Sequence, residues 1–223
     1  KLGAGWALGK GEIVGFAVAV DGWKGYFPFG HLGGGNMIPE QVKNYMKKVC
    51  ALPCPKIFHN AQYDVGWLEA SGITVNGPIV DTMIAAALID ENRFSYSLNA
   101  LSVDYLGEIK AETELREAAA AHGIDPKAEM WKLPAEHVGY YAEQDAELTL
   151  KLWKRFEQEI KTQSLTTVWE LEQRLLPVLI KMRQRGVRVQ VERAEALQKE
   201  MMNQEKEILL AIQKETGIEI DIW

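Results

Sequence analysis

The chain has 223 residues, of which 47% are hydrophobic and 25% are charged. These values fit one ordinary globular domain with a helical extension, and they exclude a disordered protein. The formal net charge of −6 disfavours broad electrostatic binding to nucleic acid, although bound metal ions can bring positive charge to a nuclease site. No apolar run has the length of a membrane span and no signal peptide opens the sequence, so we predict a cytoplasmic protein.

The first two-thirds of the chain alternates short apolar runs with helical patterns. We predict strands at residues 13–20, 26–29, 56–59 and 78–80, and helices at 40–49, 61–70, 82–89, 98–106, 112–122 and 134–156. The first two strands are predicted to form an antiparallel hairpin around a turn at residues 21–25. Glycines 33–35 lack the Lys-Ser/Thr of a phosphate loop, so we interpret them as a connector. Strands interleaved with helices predict an α/β domain.

The composition changes after about Ser164. Amphipathic helices are predicted at residues 169–185 and 192–216, separated by a break at 186–189, and a strand is predicted at 218–222. We therefore divide the chain into an α/β domain, residues 1–163, and the start of a second, helical unit, residues 164–223.

The two cysteines, Cys50 and Cys54, form a C-x₃-C pair with no other metal-ligand types close by in sequence. We predict two reduced thiols.

Tyr141 and Asp145 form the first candidate catalytic pair. They are four residues apart on a predicted helix, so they share one face. An Asp at that place can hold a divalent metal, and a Tyr one turn away can orient a metal-held water for attack on phosphorus. This is the chemistry of metal-assisted phosphodiester cleavage. The alternative is a surface Asp beside a core Tyr.

Asn60, Tyr63 and Asp64 form the second candidate group, at the start of a predicted helix. Asp64 is a candidate metal ligand. The alternative is an ordinary helix N-terminus with Asn60 as the cap and Asp64 as a first-turn acid, and Asn60 can serve both purposes.

Three neighbouring polar residues are assigned structural places. Asp81 is predicted to cap the helix that begins at Thr82. His59 ends a strand and is predicted to be packed and hydrogen-bonded. Glu143 lies on a different helical face from Asp145, so we leave it out of the metal site.

Together these segments resemble the 3′–5′ proofreading exonuclease domain of family A DNA polymerases, the DNA polymerase I type, in the Tyr-containing DEDD subgroup. The segment His59–Asp64 is similar to that family's N-x-x-[FY]-D motif, and Tyr141–Leu152 is similar to its Y-x-x-x-D motif. Further similar stretches are residues 13–31, 79–88, 96–107 and 171–187.

The resemblance implies a ribonuclease H-like exonuclease fold, a mixed sheet flanked by helices, followed by a thumb-like helical region. It implies catalytic roles for Asp64, Tyr141 and Asp145, metal binding by Asp64 and Asp145, and substrate contacts from Asn60 and Tyr63. The implied cofactors are two Mg²⁺ or Mn²⁺ ions. The implied partners are a single-stranded DNA 3′ end, a nucleoside monophosphate product and an attached polymerase domain, in a bacterial or phage-type protein.

One motif of the family, D-x-E on the first strand, is missing here. Only residues 1–12 precede the strand at 13–20, and Glu12 is their sole acid. The missing strand is central in the family's sheet, so the hairpin and the parallel strands lose their shared neighbour. We expect that strand upstream of Lys1, and we expect the chain as given to be impaired as a nuclease.

Two other functions remain open at this point. An RNase D-like exoribonuclease shares the fold, but the thumb-like segment at residues 171–186 argues against it. A non-catalytic exonuclease-like platform for DNA binding or polymerase structure fits the missing motif, but the retained pairs Tyr141/Asp145 and Asn60/Asp64 argue against decay.

Overall fold

The computed structural model describes residues 5–110, 112–126 and 128–220. Four strands lie at β1 Gly15–Val20, β2 Trp23–Pro28, β3 Lys56–Phe58 and β4 Ile79–Asp81. Helices lie at α1 Pro39–Ala51, α2 Ala61–Ala70, α3 Thr82–Ile89, α4 Leu98–Leu106, α5 Thr113–Ala121, α6 Ala135–Thr162, α7 Thr166–Arg185 and α8 Val191–Thr216. Short 3₁₀ turns occupy Gly5–Leu8 and Met130–Lys132.

The predicted hairpin is present, with a tighter turn than predicted. β1 and β2 are antiparallel and Val20 pairs with Trp23, so only Asp21 and Gly22 form the turn. Gly22 has a φ of +77°, a left-handed conformation that glycine adopts at little steric cost. The predicted turn at residues 21–25 is therefore wrong.

The other two strands form a separate parallel pair in which Lys56 lies beside Ile79 and Phe58 beside Asp81. Among the described residues, β1 pairs only with β2 and β3 only with β4. The strands thus make two two-stranded sheets, one antiparallel and one parallel.

Helix α6 is the centre of the fold. It packs against β1, β2, β3 and helices α3 to α5. Leu148, Leu152 and Phe156 are fully buried on one face, because residues four apart on a helix share a side. The edge of the Phe156 ring meets the Tyr105 ring of α4 at a centroid distance of 4.9 Å.

Helix α2 packs against α7 and the Gly5–Leu8 turn. Leu176 and Ile180 of α7 are buried with Trp6 and Val65 in one apolar cluster. The Trp6 ring lies so close to Gly66 that an added Cβ there would meet Cε2 at 2.2 Å. Position 66 requires Gly because the Trp6 indole occupies the space that a side chain would fill.

The chain forms two compact units, residues 1–185 and 186–223. The second unit contains α8, none of whose residues is buried. This division lies after residue 185 and not after residue 163, because α7 packs within the first unit. The domain boundary after residue 163 stays a prediction.

Two further expectations can be compared with the coordinates. Helix α6 continues six residues beyond the predicted end at Phe156, and Ile160 in that extension is buried. Residues 218–220 are not a strand, and residues 221–222 of that predicted strand lie outside the described residues. Among the described residues, no helix combines the length and apolarity needed to cross a membrane.

Candidate active site

Asp64 and Asp145 line the same cavity, which has a volume of about 730 Å³. β1 lines it along its whole length, and β3 lines it as well. Helices α1, α2 and α6 also line it, with Asp64 from α2 and Asp145 from α6. Two carboxylates 81 residues apart in sequence are therefore brought to one cavity, as the sequence predicts.

Asp81 positions the start of α2 as well as that of α3. Its buried carboxylate accepts hydrogen bonds from the backbone N–H groups of Asn60 at 3.0 Å, Ala61 at 2.8 Å and Met83 at 2.9 Å. The predicted cap of α3 is confirmed. One carboxylate at the end of β4 thus satisfies the first amides of two helices.

Asn60 is not the side-chain cap of α2. It adopts a left-handed conformation, φ 68° and ψ 56°, and its side chain makes no capping hydrogen bond. The expected cap is wrong because Asp81, 21 residues away, already takes the amides of Asn60 and Ala61. A left-handed non-glycine residue beside a candidate site marks a constrained backbone.

His59 has the structural place that the sequence predicts. Its Nδ1 lies 2.9 Å from the Thr82 hydroxyl, which in turn donates to the Phe58 carbonyl. Burial lowers the pKa of His59, and the negative charge of Asp81 acts in the opposite direction. The ring therefore ties the end of β3 to the start of α3.

Tyr141 and Asp145 share one face of α6, and a lysine joins them. The Lys110 ammonium donates to the Tyr141 hydroxyl at 2.6 Å and lies 2.7 Å from Asp145 Oδ2. It also lies 3.9 Å from the centre of the Tyr141 ring. Asp145 Oδ1 is buried and has no hydrogen-bond partner among the described residues.

The carboxylates of the site repel one another. Burial, together with the charges of Asp81 and Asp145, raises the pKa of Asp64 to about 7. Burial also raises the pKa of Asp145, whereas Lys110 lowers it. Burial alone would lower the pKa of Lys110, but Asp145 and Tyr141 outweigh it and the net shift is upward. Such a group of perturbed carboxyls in a cavity is typical of a functional site.

Replacing Asp64 by Asn should stabilise the metal-free chain above neutral pH. The folded-state pKa of about 7 lies above the ordinary 3.8, so ionisation of Asp64 opposes folding increasingly as pH rises from about 4 through 7. The full difference corresponds to about 4 kcal/mol. Asp64 keeps some exposure to the cavity, so we expect about 1–2 kcal/mol.

The measurement is urea unfolding in EDTA at pH 5 and pH 8, which gives the free energy of unfolding of both proteins. The stability of Asp64→Asn relative to the parent chain should increase between the two pH values. A variant that is less stable than the parent at pH 8 would contradict the assigned pKa shift.

The site fits a hard divalent cation in charge and donor type. Asp64 and the unpartnered Oδ1 of Asp145 are the oxygen ligands such ions prefer. Within the described ranges, no group of three or more His, Cys, Asp or Glu side chains is arranged to hold a metal ion. Two carboxylates suffice for a partly hydrated ion, but they do not make the ligand set of two metals.

Tyr63 and Glu143, which the sequence analysis also considers, make contacts of their own. Tyr63 is about half exposed, at 49%, and its ring meets the Trp67 ring edge-on at a centroid distance of 6.3 Å. Glu143 accepts a hydrogen bond from the Tyr26 amide of β2 at 3.0 Å. Glu143 thus links α6 to the hairpin, away from the Asp145 contacts.

The sequence predicts neither the contacts of Lys110 nor the second role of Asp81 at the start of α2. Lys110 follows α4 in a loop, 31 residues before Tyr141, and no local spacing connects the two. Cys50 and Cys54 are free thiols, as predicted.

The 3′–5′ exonuclease family model of A-type DNA polymerases matches residues 36–161, more than half of the chain. The chain therefore belongs to the 3′–5′ exonuclease family of family A DNA polymerases. The resemblance and the α/β exonuclease fold predicted from the sequence are confirmed.

Curated relatives are bacterial and phage DNA polymerases. The DNA-directed DNA polymerase of Pseudomonas phage M6 is 38% identical over the whole chain and 35% of its own length. DNA polymerase DpoZ of Vibrio phage phiVC8 is 32% identical over 82% of the chain and 31% of its own length. DNA polymerase I of Rhizobium leguminosarum is 28% identical over 81% of the chain and 20% of its own length. The chain spans about a third or less of these relatives.

A solved structure supports the fold. The POL domain of Pol1 from M. smegmatis, in complex with DNA primer-template and dNTP, aligns with a TM-score of 0.63 at 23% identity. The alignment covers 92% of this chain and 31% of that one.

Proposed function

We propose that this chain supplies the main part of a 3′–5′ proofreading exonuclease site, which removes nucleotides from a single-stranded DNA 3′ end. The observation that carries the proposal is the meeting of Asp64 and Asp145 at one cavity, with one carboxylate oxygen of Asp145 buried and unpartnered. The family membership supports the same activity.

The residues take the following roles in this proposal. Asp64 and Asp145 hold a divalent metal, and Tyr141 orients the attacking water through its hydroxyl. A divalent metal at this place supplies Lewis-acid stabilisation of the phosphoryl oxygens and a more acidic water. Tyr63 offers an exposed ring for stacking on a terminal base, and Asn60 offers an amide beside it.

A further strand completes the site. The cavity is lined by β1 and β3, and each has a partner strand on one side only among the described residues. An extended segment from upstream in the full protein would pair with both strands and bring the missing carboxylates to Asp64 and Asp145. Residues 1–163 would then form the exonuclease domain, and residues 164–223 the start of a polymerase thumb, in a cytoplasmic polymerase.

The test uses the chain as given and an extended chain. The extended chain carries, before Lys1, a strand that bears the D-x-E motif. With Mg²⁺ and 5′-labelled single-stranded DNA, the extended chain should give a ladder of products shortened from the 3′ end and release nucleoside monophosphates. The chain as given should be at least about a hundredfold slower, because its metal ligand set is incomplete.

Three outcomes would overturn the proposal in different ways. Preferred digestion of RNA would favour an RNase D-like exoribonuclease. Shortening from the 5′ end or internal cutting would exclude the assigned polarity. A folded extended chain that binds single-stranded DNA without cleaving it in Mg²⁺ or Mn²⁺ would favour the non-catalytic platform.

A further inference from the structure

Lys110 is held against both candidate catalytic groups of α6. Its side chain is only 8% exposed, and its ammonium contacts the Asp145 carboxylate at 2.7 Å and the Tyr141 hydroxyl at 2.6 Å. Burying an ammonium group is costly unless it is paired and hydrogen-bonded, and Asp145 and Tyr141 supply both contacts here.

The hydrogen-bond chemistry fixes the direction of these contacts. An ammonium group has donors only, so the Tyr141 oxygen accepts from Lys110 and its own proton is left to donate to another acceptor, such as the neighbouring Asp145 carboxylate. Lys110 also forms an ion pair with Oδ2 of Asp145, and Oδ1 has no hydrogen-bond partner among the described residues. The lysine thereby distinguishes the two oxygens of one carboxylate and leaves one for a cation.

The loop that carries Lys110 is anchored to the same helix. Glu108, two residues earlier, pairs with Lys151 of α6 through both carboxylate oxygens, at 3.0 and 2.9 Å. Gly107 ends α4 in the left-handed conformation at φ 68°. Both anchors precede Lys110 in the chain, by three and two residues, and together they tie the start of its loop to α4 and α6.

We propose that Lys110 is a positioning residue of the exonuclease site, which orients the Tyr141 hydroxyl as a donor and pairs with Oδ2 of Asp145, so that Oδ1 would be left to hold a metal. This proposal rests on the proposed function. The lysine also places a positive charge beside the metal-binding carboxylate. Its removal should therefore strengthen metal binding and slow cleavage, two effects of opposite sign.

The test replaces Lys110 by Met, which keeps the length of the stem and removes the charge and donors. Mn²⁺ titration calorimetry on the extended chain should show binding about threefold to tenfold tighter, because a neighbouring cation no longer opposes the metal. The rate of cleavage, kcat, should fall by about tenfold to a hundredfold, with KM for single-stranded DNA within about twofold. Lys110→Arg should recover most of kcat because it restores a cationic donor.

Lys154→Met is the matched control. Lys154 lies on α6 and pairs with the exposed Asp21, so its variant should match the parent in Mn²⁺ affinity and in kcat. Circular dichroism and urea unfolding establish that each variant is folded before its rates are compared.

The outcomes separate this proposal from the proposed function. Weaker Mn²⁺ binding in Lys110→Met, or unchanged binding and unchanged kcat, would overturn the role of Lys110 while leaving the nuclease assignment intact. An extended parent chain that neither binds Mn²⁺ nor cleaves DNA would overturn the proposed function, and the role of Lys110 with it.

Discussion

Replacing Asp145 by Asn in the extended chain should lower the rate of 3′-end cleavage by about a thousandfold or more. A metal's stabilisation of a phosphoryl transition state is worth several kcal/mol, and each 1.36 kcal/mol corresponds to about tenfold in rate. Asn keeps the size of the side chain and a neutral oxygen but loses the charge that, in the proposed function, would hold the ion. Lys110, 2.7 Å from Asp145 in the parent, would then repel a cation without a compensating carboxylate.

The measurement is single-turnover cleavage of 5′-labelled DNA, with Mn²⁺ calorimetry on the same samples. Asp145→Asn should lose Mn²⁺ binding along with cleavage. Glu143→Gln is the matched control on the same helix. Its amide oxygen can still accept the hydrogen bond that the Tyr26 N–H donates to Glu143 at 3.0 Å. This variant should keep cleavage within about twofold of the parent.

Tyr141→Phe provides the contrast within the site. The ring remains packed and the carboxylates are untouched, so Mn²⁺ binding should persist while cleavage falls by about a hundredfold, a usual size for a positioned proton donor or acceptor. Wild-type rates in Asp145→Asn would end the assignment of this cavity as the nuclease site.

One helix that the sequence predicts at the correct residues has local signals at both of its ends. Helix α4 is observed at the predicted residues because Ser97 caps its start by accepting from the Ala100 amide, and Gly107 ends it. The pair Tyr141/Asp145 was equally predictable, since i,i+4 spacing fixes a shared face whenever the helix forms.

The errors arise where tertiary contacts decide. Gly25 was assigned to a turn, yet it pairs with Val18 within the sheet, and the Trp23 ring covers it so closely that an added Cβ would lie 2.7 Å from that ring. A glycine in a strand signals either a turn or a close approach, and only the fold distinguishes them. Asn60 likewise has a good cap composition, but a distant carboxylate serves the helix instead.

The candidate site was predictable in its parts and not in its connections. The motifs around Asp64 and Asp145 define the two carboxylates. Their shared cavity, the lysine between Tyr141 and Asp145, and the raised pKa of Asp64 all depend on contacts between residues at least 17 positions apart. Chain spacing carries no information about such contacts, because loop geometry sets which groups meet.

The second large effect is expected at Asp81, where Asp81→Ala should lower the free energy of unfolding by about 3–5 kcal/mol. The carboxylate is 3% exposed and receives three backbone N–H groups. Each buried donor left without a partner costs about 1–3 kcal/mol, and the loss of a cap falls in the same range. Partial relaxation of the helix ends keeps the total below the simple sum.

Urea unfolding followed by circular dichroism gives the free energy of unfolding. Asp21→Ala is the control, because Asp21 is an exposed turn residue whose ion pair with Lys154 lies at the surface, and such pairs contribute about 1 kcal/mol or less. Asp81→Asn should lie between the two, since an amide retains one acceptor oxygen for three donors. Equal stabilities for Asp81→Ala and Asp21→Ala would mean that α2 and α3 do not depend on the shared carboxylate. The backbone that carries Asp64 would then need another anchor.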